Sequence, residues 1–318
     1  MTLKWQPLRI EDAAAWSKLS EVIGEADRHR WTVSEASAAF RLSAPGFDPE
    51  LDSWAVWDGD DLVAYATSSI SHEPRFDGKV QSYLSGGVHP DWRGRGIGSE
   101  LLSRVEGRAS AQLRNRYPHR AKVLFVDSGD DEDPAITLLQ NHGFVIARRF
   151  HDMERPKPTV EEVGADSEGR PGIVIRRPEE TDREAVRLAH NDAFQSHWGS
   201  APCTPEVWLE IFTPDNFDFD LSRVATDSNG RVLAYVLVSG KEPERPYVEL
   251  VGSRTETRGQ RLGRATFGEY LKALAKDPVA QSTALDVDAD SPTNAAKLYS
   301  DLGFEVARTW SALEKPVS

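Results

Sequence analysis

The chain of 318 residues carries the same landmarks twice, in the same order. Three pairs of segments correspond: residues 8–12 with 175–182, residues 93–98 with 258–263, and residues 141–144 with 301–304. A repeat of this length is a whole domain and not the short period of a solenoid. The sequence therefore predicts two related domains of roughly 150 residues each, which is an ordinary domain size.

Residues 1–155 are expected to form the first domain, residues 156–172 a linker, and residues 173–318 the second domain. The linker stretch is polar and contains several prolines and glycines, which is typical of a loop. In each half, an amphipathic helix is followed by a hairpin of strands, a strand that runs through a glycine-rich turn into a long helix, and a strand, helix and closing strand. This order predicts an α/β fold with a mixed sheet in both domains.

The charge balance narrows the range of partners. Thirty-eight Lys and Arg residues face fifty-one Asp and Glu residues, so the net charge is −13 and a nucleic-acid-binding role is disfavoured. Cys203 is the only cysteine, which excludes an internal disulfide, and the eight histidines lack the spacing of a metal site. No secretory signal or apolar stretch of about 18 residues is found, so we expect a cytoplasmic protein that does not bind membranes.

The glycine-rich segment Arg93-Gly94-Arg95-Gly96-Ile97-Gly98 lies between a predicted strand and an amphipathic helix. Such a turn presents backbone N–H groups and the positive end of the helix dipole, which together suit a pyrophosphate. The Rossmann spacing needs one more residue before its third glycine, and the Gly-Lys-Ser/Thr end of a nucleotide-triphosphate loop is missing. A tight turn with solvated arginines is the plain alternative. The second copy at residues 258–263 favours anion binding.

Both segments resemble the acetyl-CoA pyrophosphate loop of the GNAT superfamily of acetyltransferases, whose pattern is Gln/Arg-x-x-Gly-x-Gly/Ala. The first copy fills every position of the pattern through Arg93, Gly96 and Gly98. In the second copy Arg258 and Gly263 match, while Arg261 replaces the middle glycine and adds a side chain near the phosphates.

A second signature of the superfamily, an Asn near a helix start and a Tyr before Leu-Gly-Phe, is present at Asn294, Tyr299 and residues 302–304. Two such domains in one chain are similar to the mycothiol synthase type of tandem acetyltransferase.

The resemblance implies that the chain binds acetyl-CoA. The implied cofactor-binding residues are Val88, Arg93, Gly94, Arg95, Gly96, Ile97 and Gly98 in the first domain and Val251, Ser253, Arg258, Gly259, Gln260, Arg261, Leu262, Gly263 and Asn294 in the second. Val251 and Ser253 belong to the strand that, in this family, separates from its neighbour to admit the pantetheine arm.

Acetyl transfer to an amine requires a proton acceptor for the amine, an N–H donor for the carbonyl oxygen, and a weak acid for the departing thiolate. Tyr299 matches the general acid of the family, and Glu249, flanked by apolar residues, is the candidate base. Alternatively, Tyr299 is a core aromatic and Glu249 a solvent-facing strand residue. In the first domain Leu139 and Leu84 occupy the matching positions. We therefore expect the first domain to hold CoA and the second to catalyse.

The expected activity is transfer of acetyl from acetyl-CoA to a primary amine of a small molecule by direct attack. His197 and Trp198 follow the first helix of the second domain, where this fold builds its acceptor pocket, and they are the candidate substrate contacts. Two alternatives stay open: a non-catalytic acyl-CoA-binding or sensing module, and an acetyltransferase that acts on a protein amine. A monomer and a homodimer are both compatible with the sequence.

Overall fold

A computed structural model describes residues 3–27, 32–71, 73–129, 133–163, 171–213, 217–240, 242–291 and 293–318. The chain divides into two compact units. Unit 1 contains Met1–Arg149 and Trp310–Ser318, and unit 2 contains Phe150–Thr309. Within the described residues, no helix is both long enough and apolar enough to cross a membrane.

The elements of the first half follow the predicted order. They are β1 (Lys4–Gln6), α1 (Ala13–Asp27), α2 (Glu35–Ser43), α3 (Pro49–Asp52), β2 (Ser53–Asp58), β3 (Asp61–Ile70), β4 (Val80–Val88), α4 (Ile97–Arg116), β5 (Lys122–Ser128), α5 (Pro134–Asn141) and β6 (Val145–Pro156). In unit 1, β1 to β4 pair antiparallel in sequence order, and β4 pairs parallel with β5.

The second half repeats this order. Its elements are β7 (Ile173–Arg176), α6 (Arg183–Ala193), α7 (Pro205–Ile211), β8 (Arg223–Asp227), β9 (Val232–Ser239), β10 (Tyr247–Ser253), α8 (Leu262–Lys276), β11 (Ser282–Asp288), α9 (Ala295–Asp301) and β12 (Glu305–Val317). In unit 2, β7 to β10 pair antiparallel, and β10 pairs parallel with β11.

The closing strand of each half of the sequence belongs to the unit that the other half forms. Residues Phe150–Pro156 of β6 pair antiparallel with β11 in unit 2, and residues Ser311–Val317 of β12 pair antiparallel with β5 in unit 1. The apolar pattern of a strand predicts that it will be half buried but not which sheet it joins. The expected boundaries at 155 and 173 stay a prediction, and linker residues 164–170 lie outside the described part of the chain.

The helix that follows each glycine-rich turn packs on the sheet of its own unit. The predicted apolar face of α4 is confirmed, because Ile97, Leu101, Leu102, Val105 and Ala109 are all buried. They belong to the core of unit 1, which includes Leu313 of β12. In unit 2, α8 contributes Phe267, Tyr270 and Leu271 to a core that includes Met153 of β6. Each glycine-rich turn is thereby fixed between a buried strand and a buried helix.

Candidate active site

The two parallel strands in the centre of each unit separate along their length. In unit 1, β4 pairs with β5 only from Val80 to Tyr83, and in unit 2, β10 pairs with β11 only at Tyr247 and Val248. Beyond these points the remaining residues of β4 and β10 keep their antiparallel partner on one side only. One edge of each strand therefore offers unpaired backbone groups to a ligand.

The hydrogen bonds on the other edge show which N–H groups these are. The N–H of Arg254 donates to Leu233 O (2.8 Å) on the β9 side. Because N–H directions alternate along a strand, those of Val251 and Ser253 point to the side from which β11 has separated. In unit 1, His89 N donates to Val63 O (2.9 Å), so Val88 N–H points toward the corresponding opening. Three of the sequence-predicted cofactor contacts thus lie at the strand openings.

The glycine-rich loop of unit 1 has the backbone of an anion site. Gly94 and Gly96 have φ values of 72° and 80°, and a Cβ at either position would meet no atom within 4 Å. Gly96 immediately precedes α4, so the free N–H groups of the first turn open beside it. A Cβ on Gly98 would lie 3.3 Å from a Leu138 methyl, which shows how closely α4 and α5 approach at this point.

The two arginines of this loop form hydrogen bonds with neighbouring residues. The Arg93 guanidinium makes a bidentate ion pair with Asp27 (2.7 and 2.8 Å), and its Nε donates to Val88 O (3.1 Å). Arg95 donates to Asp91 O (2.9 Å) and stacks over the Trp92 ring at 4.6 Å. The Arg93 guanidinium therefore ties α1 to the end of β4 through Asp27 and Val88 O.

The loop of unit 2 keeps the same backbone despite its different sequence. Gly259 has a φ of 76°, and Arg261, in the position of Gly96, has a φ of 58° directly before α8. A left-handed conformation is costly for a residue with a side chain, so the surrounding structure holds Arg261 there. A Cβ on Gly263 would lie 2.7 Å from the Ser253 hydroxyl, so only glycine lets α8 approach β10 this closely.

The remaining polar side chains of the second loop bond to the backbone. Arg258 donates to Ala193 O (2.7 Å) at the end of α6, and Gln260 donates to Glu256 O (3.0 Å). Leu262 is buried, and Asn294 is exposed with a φ of 55° at the start of α9, where its side chain makes no capping bond. The bond from Arg258 fixes the loop against the end of α6, and the loop leads directly into the N-terminus of α8.

Tyr299 lies on α9 and is buried in the core of unit 2. Its ring contacts Phe267 and Phe304, with centroid separations of 5.3 and 6.1 Å. Burial raises the pKa of Tyr299 above that of an ordinary tyrosine, so the hydroxyl keeps its proton at neutral pH. Burial, with a smaller contribution from Tyr299, also raises the pKa of Tyr235.

Glu249 occupies a bulge in β10. The register of β10 with β9 shifts between Val248 and Leu250, so Glu249 is the extra residue, and it is exposed. Bulges bend a strand and re-aim side chains, and they are frequent next to active sites. This bulge lies where β10 leaves β11, two residues before Val251 in the same strand.

The predicted acceptor contacts His197 and Trp198 are partly buried after the end of α6. His197 Nδ1 lies 3.1 Å from the Ser200 hydroxyl and 3.1 Å from Trp198 O. The Trp198 ring lies 6.4 Å from that of Phe150.

Sequence reasoning missed a polar pair in the same unit. His190 Nδ1 lies 2.8 Å from the Tyr235 hydroxyl, and burial, with a smaller contribution from His197, lowers the pKa of His190 to about 4. The sequence did indicate that His190 would face the core, because it follows Val186 and Ala189 at helical spacing on α6.

In the part of unit 1 that the structure describes, leucines occupy the positions that match Glu249 and Tyr299. The register of β3 with β4 runs without a shift from Ala64 opposite Val88 to Ile70 opposite Ser82. Leu84 and Leu139, which take the places of Glu249 and Tyr299 in the sequence alignment, are both buried in the core. The two units thus share the loop geometry and differ in the groups that could move protons.

Comparisons with known proteins agree with this geometry. Residues 16–144 match the model of the acetyltransferase (GNAT) family. A mycothiol acetyltransferase of Thermobispora bispora is 29% identical over 299 residues, which is 92% of either chain. The mycothiol acetyltransferase of Nocardiopsis dassonvillei is 29% identical over 245 residues, covering 68% of this chain and 69% of that protein.

Two solved structures have the same fold over nearly the whole chain. A GCN5-related N-acetyltransferase from Sphaerobacter thermophilus superposes with a TM-score of 0.74 at 23% identity, covering 99% of this chain and 96% of that one. A tandem GNAT protein from the clavulanic acid biosynthesis pathway superposes with a TM-score of 0.69 at 17% identity, covering 100% and 99%. The predicted α/β class with two GNAT-like halves is confirmed. Residues 16–144 thus match the GNAT acetyltransferase family, and over nearly its whole length the chain is similar to mycothiol acetyltransferases and has the fold of a tandem GNAT protein.

Proposed function

We propose that the chain transfers acetyl from acetyl-CoA to a primary amine of a small molecule, and that unit 2 carries out the transfer. One observation supports this most directly: the bulge at Glu249, the open N–H groups of Val251 and Ser253, and Tyr299 occur together in unit 2. In unit 1 two leucines and an unbroken register stand in their places.

Acetyl-CoA supplies an activated acetyl thioester, and the residues present suit it. The loops before α4 and α8 offer N–H groups to a pyrophosphate, and the strand openings at Val88 and at Val251–Ser253 offer N–H groups to the pantetheine arm and the thioester. The loop of unit 1 has two unhindered glycines, whereas that of unit 2 carries Arg261. We propose that unit 1 holds one CoA without catalysing, and that unit 2 binds the acetyl-CoA that reacts.

Each group of unit 2 has a distinct role. Glu249 accepts, directly or through water, a proton from the attacking amine, which must lose one because its pKa is about 10.4 for a lysine-like group. The N–H groups of Val251 and Ser253 donate to the carbonyl oxygen as negative charge develops on it. Tyr299 donates its hydroxyl hydrogen toward the departing sulfur. A C–N bond forms and a C–S bond breaks, with no covalent enzyme intermediate.

The acceptor is proposed to be a small cationic molecule. The similar proteins are named mycothiol acetyltransferases, and mycothiol is a small molecule. The net charge of −13 also favours a positively charged amine. His197 and Trp198, at the end of α6, are the proposed acceptor contacts.

A panel of amines tests this function through the release of free CoA thiol. We expect turnover with amino sugars or aminoacyl conjugates, and at least 10-fold lower kcat/KM with peptides that present a lysine or a free N-terminus. Preference for the peptides would contradict a small-molecule acceptor. Absence of turnover with every amine would refute the proposed function.

Cofactor occupancy is predicted to depend on the two loops separately. Gly96→Asp keeps a residue that tolerates positive φ but places a carboxylate at the anion site, so we expect at least 10-fold weaker acetyl-CoA binding in unit 1 by calorimetry. Gly46→Asp is the matched control, because Gly46 also has a positive φ of 84° and open space around it. Unchanged binding in Gly96→Asp would exclude the first loop as a cofactor site.

A further inference from the structure

The hydrogen bond between His190 and Tyr235 is held in one orientation by its surroundings. The imidazole stacks on Phe194 (4.4 Å between centroids, 27° between planes) and on Trp208 (5.2 Å, 29°). With both ring faces covered, the imidazole cannot turn away without losing these contacts. Its Nδ1 stays at 2.8 Å from the Tyr235 hydroxyl.

Tyr235 in turn contacts the backbone of the proposed site. It lies opposite Gly252 in the register of β9 and β10 and is fully buried. A Cβ on Gly252 would lie 2.5 Å from both Cε1 and the hydroxyl of Tyr235, so this ring covers the peptide between Val251 and Ser253. The ring therefore packs on the backbone between the N–H groups of Val251 and Ser253.

The charge state of the pair supports a positioning role over a basic one. His190 faces two titratable groups, Tyr235 on β9 and His197 after α6, and burial lowers the pKa of His190 to about 4. That value is roughly six units below the pKa of a lysine-like amine, so this imidazole is a poor acceptor for the proton of the amine. Burial, with a smaller contribution from Tyr299, raises the pKa of Tyr235, which therefore remains a neutral hydroxyl.

Unit 1 has a tyrosine at the matching position, and its described neighbours are apolar or aromatic. Tyr65 lies opposite Gly87 in β4, as Tyr235 lies opposite Gly252. Its neighbour is the Trp16 ring at 5.1 Å, and Ile23 occupies the space beside Gly87, with Cδ1 at 2.6 Å from the position of a Cβ. The contact between His190 and Tyr235 is thus found in unit 2, the unit that also contains the proposed catalytic groups.

We propose that His190 and Tyr235 are a positioning pair for acetyl transfer: His190 orients the Tyr235 hydroxyl, and the Tyr235 ring holds the backbone at Gly252, between the N–H groups of Val251 and Ser253. This proposal rests on the proposed function of unit 2. It assigns to the pair a role mainly in the transfer step, because most of the proposed cofactor contacts of unit 2 belong to the loop before α8 and not to Val251 and Ser253.

The test compares variants that keep or remove the hydrogen bond. Tyr235→Phe keeps the ring and removes the hydroxyl, and His190→Leu removes the imidazole. For both we expect kcat to fall about 10-fold or more, with the KM for acetyl-CoA within twofold of wild type. His190→Asn, whose carboxamide can take the place of Nδ1, is expected to retain kcat within about threefold. Tyr65→Phe, the counterpart in unit 1, is the control and is expected to have wild-type kcat.

Thermal melting separates positioning from folding. A purely structural role would lower the melting temperature of Tyr235→Phe and His190→Leu but leave kcat unchanged in the folded protein, and that result would overturn the proposal. Equal losses in His190→Asn and His190→Leu would also overturn it, because the hydrogen bond would then not be the property that matters.

Failure of the proposed function is distinguishable from failure of the pair. If wild type acetylates no amine of the panel, the proposed function fails. The pair is then judged by NMR of protein labelled with ¹⁵N-histidine, in which the Nδ1 signal of His190 is expected to move in Tyr235→Phe. An unmoved signal would refute the pair even in an inactive protein.

Discussion

Replacing Tyr299 with phenylalanine is expected to lower kcat about 100-fold while leaving acetyl-CoA affinity unchanged. General acid catalysis contributes roughly 100-fold to 10,000-fold. The lower end is expected here, because burial raises the pKa of Tyr299 and makes its hydroxyl a weaker acid. The phenyl ring keeps the contacts with Phe267 and Phe304, so the core should change little.

Tyr270→Phe is the matched control for this experiment. Tyr270 lies in the same core cluster and its hydroxyl bonds to Thr283 Oγ1 (2.5 Å), so its loss tests the effect of removing a buried hydroxyl. We expect Tyr270→Phe to lower stability by about 1 kcal/mol and to retain kcat. If Tyr299→Phe also retains kcat with acetyl-CoA bound, Tyr299 is a core residue only and the proposed mechanism is wrong.

Acidification to pH 5 is expected to destabilise the protein through His190 by about 2 kcal/mol relative to pH 7. The pKa of this imidazole falls from about 6.5 in the unfolded chain to about 4 in the folded one. Between these values the unfolded chain binds more protons, so stability falls as the pH falls through that window. Denaturant unfolding of wild type at both pH values measures the difference.

His190→Asn removes the titrating group and keeps a hydrogen-bonding side chain, so its unfolding free energy should change less between pH 7 and pH 5. His119→Gln, which removes an exposed histidine, is expected to behave as wild type. An equal pH dependence in wild type and His190→Asn would show that His190 is not held neutral by the fold.

Local pattern was enough for several parts of this protein and failed at others for identifiable reasons. The prediction of an amphipathic helix after the first glycine-rich turn was correct for α4, because the helical spacing of apolar residues indicates which face is buried. His190 was missed although it lies on the buried stripe of α6, since spacing alone does not say that a polar partner, Tyr235, will face it from β9. The bulge at Glu249 was not predictable, because a register shift depends on two strands at once.

The glycine-rich loop of unit 2 also differs from what its sequence suggested. Replacement of the middle glycine by Arg261 suggested a change in the anion site, and the structure keeps the left-handed backbone there. The conformation is imposed by the strand and helix on either side, which are buried, and the residue adapts to it. The arginine of the first loop also had an unexpected partner in Asp27, 66 residues earlier in the chain.

By itself the sequence determined the duplication, the α/β class, the two glycine-rich turns and the position of Tyr299, because each of these is a pattern within one short segment or a comparison of two segments. Only the tertiary structure decided that the closing strand of each half of the sequence pairs within the unit formed by the other half, that β10 bulges at Glu249, and that His190 contacts Tyr235. These features are pairings between segments distant along the chain, and the free energy that selects them comes from packing and hydrogen bonds that form only when the whole unit folds.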